Sequence, residues 1–308
     1  MLQPLNCKRM NKPPKNQPQV IEELRPGQSI ELLKELHILT REGKLNQDTR
    51  RKLKQVYHLY QFIEPLLNEV LQTNAAFTLA DHGAGKSYLG FILYDLFFNV
   101  ARAGQKSAGH IYGIETRPEL VEKSRVLAAR LGFERMAFLN LSVKDATTST
   151  DLPGRIDIVT ALHACDTATD DAIAFGLAKQ AQYMVLVPCC QAEVAGVLKA
   201  SRALNLTKTP LAELWRHPLH TREFGSQITN VLRCLQLEAS GYNVTVTELV
   251  GWEHSMKNEL ILASQPTVPN VAKTTASQVR LQQVLDELGL AELKQRFTGL
   301  PRQMLLNK

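Results

Sequence analysis

Between residues 76 and 190 the chain switches repeatedly between two apolar patterns, and few architectures accommodate that. AFTLAD (76–81), HIYGIE (110–115), MAFLNLSV (136–143), IDIVTALHA (156–164) and AQYMVLVPC (181–189) are apolar runs of strand length. Between them lie YLGFILYDLFFNVA (88–101), PELVEKSRVLAARLG (118–132) and DDAIAFGLAKQ (170–180), which read as helices. Strands alternating with helices of this length predict a parallel sheet covered on both faces. Further on, NVTVTELV (243–250) and ELILAS (259–264) flank the connection GWEHSMKN. A connection that short favours an antiparallel pair.

The flanks read differently. Residues 1–19 are rich in Pro, Asn, Gln and Lys and predict a disordered tail. A helical N-terminal region follows over 20–74, with Ile30, Leu32, Leu33, Leu36 and Leu39, then Tyr57, Tyr60, Ile63, Leu66, Leu67, Val70 and Leu71, at helix spacing. The alternating unit spans 75–265. Residues 266–308 read as a linker and C-terminal amphipathic helices, chiefly QVRLQQVLDELGLAELKQRF (278–297). Charge is unevenly placed: residues 1–60 hold twelve Lys and Arg against six Asp and Glu, and the remainder holds 24 of each sign. The densest run, Arg50, Arg51, Lys52 and Lys54, can meet phosphates on RNA or form a solvated helix face.

An apolar share of 44% and a charged share of 21% fit a globular chain. No apolar run approaches a membrane span, and the N-terminus lacks the apolar stretch of a secretory signal. Five cysteines, an odd count, favour free thiols in a reducing compartment, hence a cytoplasmic protein with no membrane partner.

The first strand runs into Asp81-His82-Gly83-Ala84-Gly85-Lys86-Ser87. Its tail imitates a triphosphate-binding P-loop, but the first glycine of that loop is replaced by Ala80. Asp81 would also set a carboxylate among the phosphates. The second strand ends in Glu115, whose carboxylate can accept two hydrogen bonds from a ribose diol. The spacing from Gly85 to Glu115 exceeds the usual one, and the insert ARAGQKSAG (101–109) accounts for the difference. A zwitterionic or cationic nucleoside suits this pair of acids better than a nucleoside triphosphate.

Asp81-x-Gly83-x-Gly85 with Glu115 on the next strand resembles motifs I and II of class I S-adenosylmethionine-dependent methyltransferases. His163-Ala164-Cys165-Asp166 with Thr169-Asp170, then Pro188-Cys189-Cys190-Gln191, is similar to the H-x-C…T-D and C-C elements of one branch, which includes tRNA 2′-O-methyltransferases. Residues 251–258 resemble the hairpin of its bacterial members. The tRNA enzymes have H-x-C-G and C-C-H at the corresponding places, and N-terminal zinc-finger cysteines that have no counterpart here, since only Cys7 precedes the alternating unit.

The resemblance implies a Rossmann-like α/β sheet of seven strands with an antiparallel final strand, behind the helical extension. It implies S-adenosyl-L-methionine as cofactor. Gly83 and Gly85 would line its methionine end, Asp81 would hold the amino group, Glu115 the ribose, and Ser142, Val143 or Asp145 would flank the adenine. The acceptor side would gather His163, Cys165, Asp166, Cys189, Cys190 and Gln191, with His163 or Asp166 as base. The adjacent cysteines, with no C-x-x-C pair, make a poor zinc set. Arg222 and Arg233 are candidates to face an anionic substrate, and Glu253, His254, Lys257 and Asn258 to shape its entrance. RNA is the expected acceptor, a small molecule or protein the alternative. A cofactor-binding scaffold without turnover is the reading from a different class, and a P-loop-like NTPase with Mg²⁺ is the further alternative.

Overall fold

The computed structural model describes residues 23–102, 109–162, 164, 166–188, 191–201, 208–249 and 259–298. The segment 1–19, the insert 103–108, His163, Cys165, Cys189, Cys190 and the connection 250–258 lie outside them.

Seven strands form one sheet: β1 (Phe77–His82), β2 (Gly109–Glu115), β3 (Met136–Asn140), β4 (Ile158–Leu162), β5 (Tyr183–Val187), β6 (Asn243–Glu248) and β7 (Glu259–Ser264). Their order is β3-β2-β1-β4-β5-β7-β6. The first five are parallel, and β7 runs antiparallel to both neighbours. This is the seven-strand sheet with an antiparallel final strand that the resemblance implies. The chain winds outward from β1 to β3, then returns to place β4 on the other side of β1. That reversal opens a crevice beyond the carboxyl ends of β1 and β4, where ligands bind in doubly wound sheets.

Alternation along the strands sends one set of side chains to each face. Phe77, Leu79, Ile111, Phe138, Ile158 and Val185 join a core with α1 (Ile30–Glu35), α2 (Gln47–Thr73) and α3 (Tyr88–Tyr94). Ala80, Ile114, Val159, Ala161, Met184 and Leu186 join a second core with α5 (Val143–Thr148) and α6 (Thr167–Ala178). The N-terminal helices therefore share a core with the sheet. In α2, buried Leu53, Val56, Leu59, Tyr60, Ile63, Leu67 and Val70 follow the helical repeat. Asn46 and Thr49 close its first turn as a reciprocal capping box. A third core joins α7 (Glu193–Ser201), α8 (Pro218–Ala239), α9 (Val271–Glu287) and α10 (Lys294–Thr298).

Several elements differ from their sequence boundaries. The apolar helix read over 88–101 is α-helical only to Tyr94 and widens into a π-helical turn over Asp95–Ala101. Asp95 is buried there, accepting the Ser29 amide at 3.0 Å and the Asn99 side-chain amide at 3.0 Å. The helix read over 278–297 ends at Glu287, because Gly289 takes a left-handed conformation and turns the chain. β3, β4 and β5 stop short of the ends of their apolar runs, whose last residues leave the sheet. The remaining connecting helix is α4 (Pro118–Arg130).

Candidate active site

A cavity of about 350 Å³ opens at the carboxyl ends of β1, β2 and β4. Asp81 lines it from β1, Gly83, Ala84, Gly85 and Lys86 from the β1–α3 connection, Tyr88 and Leu89 from α3, Arg117 from the β2–α4 connection and Leu162 from β4. Gly83 and Gly85 have φ of 65° and 56°, a region where a side chain is strained, so the glycines make the turn. Ser87 shares that region at φ 51° and is fully buried.

Asp81 is 2% exposed and sits opposite Thr160 in the β1–β4 register, accepting its hydroxyl at 2.9 Å. Burial pushes its carboxyl up to about 7, against the lowering effect of the Thr160 hydroxyl and the Gly90 amide. The neighbouring strand residue, His82, points to the opposite face beside Phe175 of α6, with ring centroids 5.6 Å apart. Neither ring nitrogen has a hydrogen-bond partner among the described residues. Burial pushes the imidazole down to about 4.

Glu115 behaves in the opposite way from Asp81. Burial would raise it, but the Arg117 side chain and the Arg117 and Gly85 amides outweigh burial and hold it at about 2. The Gly85 amide donates to Oε2 at 2.8 Å. Arg117 donates from its backbone and Nε to Oε1, each at 3.0 Å, and from a terminal nitrogen to Oε2 at 3.1 Å. The β1 turn is thus latched to the tip of β2, reinforced by the Ala84 amide donating to the Ile114 carbonyl at 3.1 Å. Two amides that a P-loop would offer to phosphate are spent on β2.

The remaining candidates lie elsewhere. Ser142 caps α5 and exchanges bonds with Asp145, its hydroxyl donating to Oδ2 at 2.6 Å and accepting the Asp145 amide at 3.2 Å. Ser142, Val143 and Asp145 do not line the cavity. Asp166 accepts the Ala192 and Glu193 amides at 3.0 and 3.3 Å, securing the start of α7. Gln191 is buried between Ser226, which donates to it at 2.6 Å, and Asn230, to which it donates at 3.1 Å. The expectation that Arg233 faces substrate is corrected: it is fully buried and grips Asp170 at 2.7 and 2.9 Å while donating to the Asp166 carbonyl at 2.7 Å. Arg222 pairs with Glu223 on the surface. Of the basic run, Arg50 pairs with Glu23 at 2.8 Å, Arg51 approaches Asp48 at 4.0 Å, and Lys54 is exposed.

Sequence reasoning missed the fourth wall of the cavity, which is N-terminal: Ile38 and, on α2, Lys52, Gln55 and Val56. It also missed Thr160 and Arg117. Arg117 had a signal, lying two residues past Glu115 and before Pro118, the first residue of α4.

A family model described as a methyltransferase domain matches residues 51–197. No curated protein matches the chain. Solved structures similar to it include magnesium protoporphyrin IX methyltransferase from Synechocystis PCC 6803 with bound SAH, 13% identical with a TM-score of 0.42, covering 77% of this chain and 93% of that one. The Methanococcus jannaschii fibrillarin pre-rRNA processing protein is 13% identical, with a TM-score of 0.38 over 62% of this chain and 67% of that one. An rRNA methylase from Streptococcus thermophilus is 10% identical, with a TM-score of 0.39 over 66% and 94%. The matched stretch 51–197 runs from α2 into α7, so it takes in five strands and the helix that walls the cavity. The chain has the class I methyltransferase fold, and its residues 51–197 match a methyltransferase domain.

Proposed function

We propose that the protein is an S-adenosylmethionine-dependent methyltransferase whose donor occupies the cavity at the tips of β1, β2 and β4. The observation that carries this reading is Asp81. Among the described residues this carboxylate, buried at the floor of a glycine-lined cavity, has only Thr160 and a backbone amide beside it and no ion-pair partner. The ammonium of the donor's amino-acid end supplies one. Glu115, already ionised at the next strand tip, suits the ribose diol. Gly83 and Gly85 leave room for the methionine end between them.

When bound, the donor supplies a methyl group on a sulfonium, which transfers by in-line displacement. The chain's task is therefore orientation and exclusion of water. The acceptor enters beyond β4 and β5. His163 is its base, Cys165, Cys189 and Cys190 are further acceptor-side candidates, and Asp166 and Gln191 secure the starts and sides of α7 and α8. RNA is the proposed acceptor, supported by the exposed basic positions of α2 next to the cavity. The tRNA 2′-O branch is the corresponding finer proposal, and a cytoplasmic site of action goes with it. Among the described residues no helix is long and apolar enough to cross a membrane. The scaffold reading draws support from Asp166 and Gln191, whose polar atoms are engaged in holding α7 and α8.

Calorimetric titration with S-adenosylmethionine and, separately, ATP with Mg²⁺ tests the donor site. Micromolar binding of the first, lost in Asp81→Ala and Glu115→Ala, is expected. Binding of ATP alone overturns the proposal. Donor binding without methyl transfer to any RNA, protein or small-molecule pool favours the scaffold.

A further inference from the structure

In the proposed donor site Asp81, which lines the cavity, answers the ammonium, and Glu115, bonded to the lining residues Gly85 and Arg117, stands at the diol end. The donor's carboxylate also needs a cation. Three cationic side chains line the space: Lys52, Lys86 and Arg117. Arg117 is committed to Glu115 through its side chain and backbone. Lys86, on the connection before α3, also lines a neighbouring cavity with Glu35 and Glu122, which approach Arg130 and Arg125. Lys52 forms no hydrogen bond or ion pair with the described residues.

The geometry of α2 separates Lys52 from the rest of the basic run. At about 100° per residue, positions 52, 55 and 56 share one face, and positions 50 and 54 point away from it. Lys52, Gln55 and Val56 accordingly line the cavity together, and Arg50, Arg51 and Lys54 do not. Leu53 and Leu59, both buried, fix the rotation of the helix against the sheet core, so this face is held toward the cavity.

We infer that Lys52, on the N-terminal helix α2, is the cationic contact for the carboxylate of the donor's amino-acid end. The inference rests on the donor assignment above. It makes α2 a wall of the donor site and removes Lys52 from the candidate RNA surface.

A two-by-two titration tests it: the full chain and Lys52→Met, each against S-adenosylmethionine and decarboxylated S-adenosylmethionine, which keeps the ammonium and lacks only the carboxylate. The wild type should prefer the intact donor by about tenfold, the size of one charge-assisted hydrogen bond. In Lys52→Met that preference should vanish while affinity for the decarboxylated ligand stays within twofold. Lys52 is exposed, so the variant should keep the wild-type melting temperature. A preference that survives in Lys52→Met overturns the inference and leaves the donor assignment standing. So does one that survives there but disappears in Lys86→Met, which gives the role to Lys86. Equal binding of both ligands by the wild type also overturns it. Failure of the wild type to bind either ligand overturns the donor assignment itself.

Discussion

Asp81 and Thr160 face each other across the parallel β1–β4 pair, and the Thr160 hydroxyl donates to the Asp81 carboxylate at 2.9 Å. This neutral donor and the Gly90 amide are too little to offset burial, which pushes the carboxyl up to about 7. An ammonium ligand binds the ionised form. Donor affinity should fall by up to about tenfold per unit below about pH 7, as Asp81 takes up a proton, and weaken again above about pH 8, where the donor's α-ammonium loses its own. Calorimetry between pH 5.5 and 8.5 reads this directly. Thr160→Val removes the hydroxyl at nearly constant shape and should move the inflection upward by roughly half a unit or more. A pH-independent affinity would separate Asp81 from the ammonium.

His82 follows Asp81 in sequence and titrates in the opposite sense. Asp81 has its folded pKa raised, so its contribution to stability is present at low pH and is lost as pH rises toward 7. His82 has its folded value lowered from 6.5 to about 4, so its contribution is present above 6.5 and is lost as pH falls toward 4. Between these limits the two slopes cancel. Denaturant titrations from pH 4.5 to 6.5 should therefore show little net slope from this pair. Asp81→Asn should unmask stability that rises with pH, and His82→Leu stability that falls with pH, each by about 1 kcal/mol per unit. Asp81→Asn should also be more stable than wild type at pH 8, although it loses the donor.

Glu115 carries the latch between the β1 turn and β2. Its folded value of about 2 means that its contribution is present above about 4.5 and is lost as pH falls through 2. Glu115→Gln should cost about 1–3 kcal/mol at pH 7, because the charge-assisted bonds from Gly85 and Arg117 are lost. That cost should shrink toward pH 2, where the wild type has lost its own advantage. Chemical denaturation at pH 7 and pH 3 checks both statements.

Arg233 and Asp170 form a buried ion pair between α8 and α6. Arg233→Met leaves Asp170 as an unpaired buried charge and should destabilise the fold by about 3–5 kcal/mol. Arg233→Met combined with Asp170→Leu should recover most of that loss, since the pair already spends much of its attraction on desolvation. If the double variant stays as unstable as the single one, the pair's other bonds, to Asn230 and the Asp166 carbonyl, carry the energy.

Local chemistry made much of this protein readable from its sequence. Strand-length apolar runs separated by helices dictated a parallel sheet, and the short step between 243–250 and 259–264 dictated an antiparallel pair, because backbone connectivity allows little else. Asp81, Gly83, Gly85 and Glu115 were legible for the same reason. The end of a strand, a glycine turn and the end of the next strand have fixed relative places in a doubly wound sheet. Partners distant along the chain were not legible. Thr160 meets Asp81 from 79 residues away and Arg233 meets Asp170 from 63. Asp166 and Gln191 stand in sequence as acceptor-side candidates, and their atoms are engaged in closing the starts and sides of α7 and α8. Lys52 is one of four basic residues that sequence treats alike, and only the docking of α2 on the sheet turns it toward the cavity while Arg50 finds Glu23. Sequence by itself determined which residues stand at the strand tips. Tertiary packing decided which charges are paired, which are left alone, and which helix walls the site, because burial and charge pairing depend on the contacts of the whole fold.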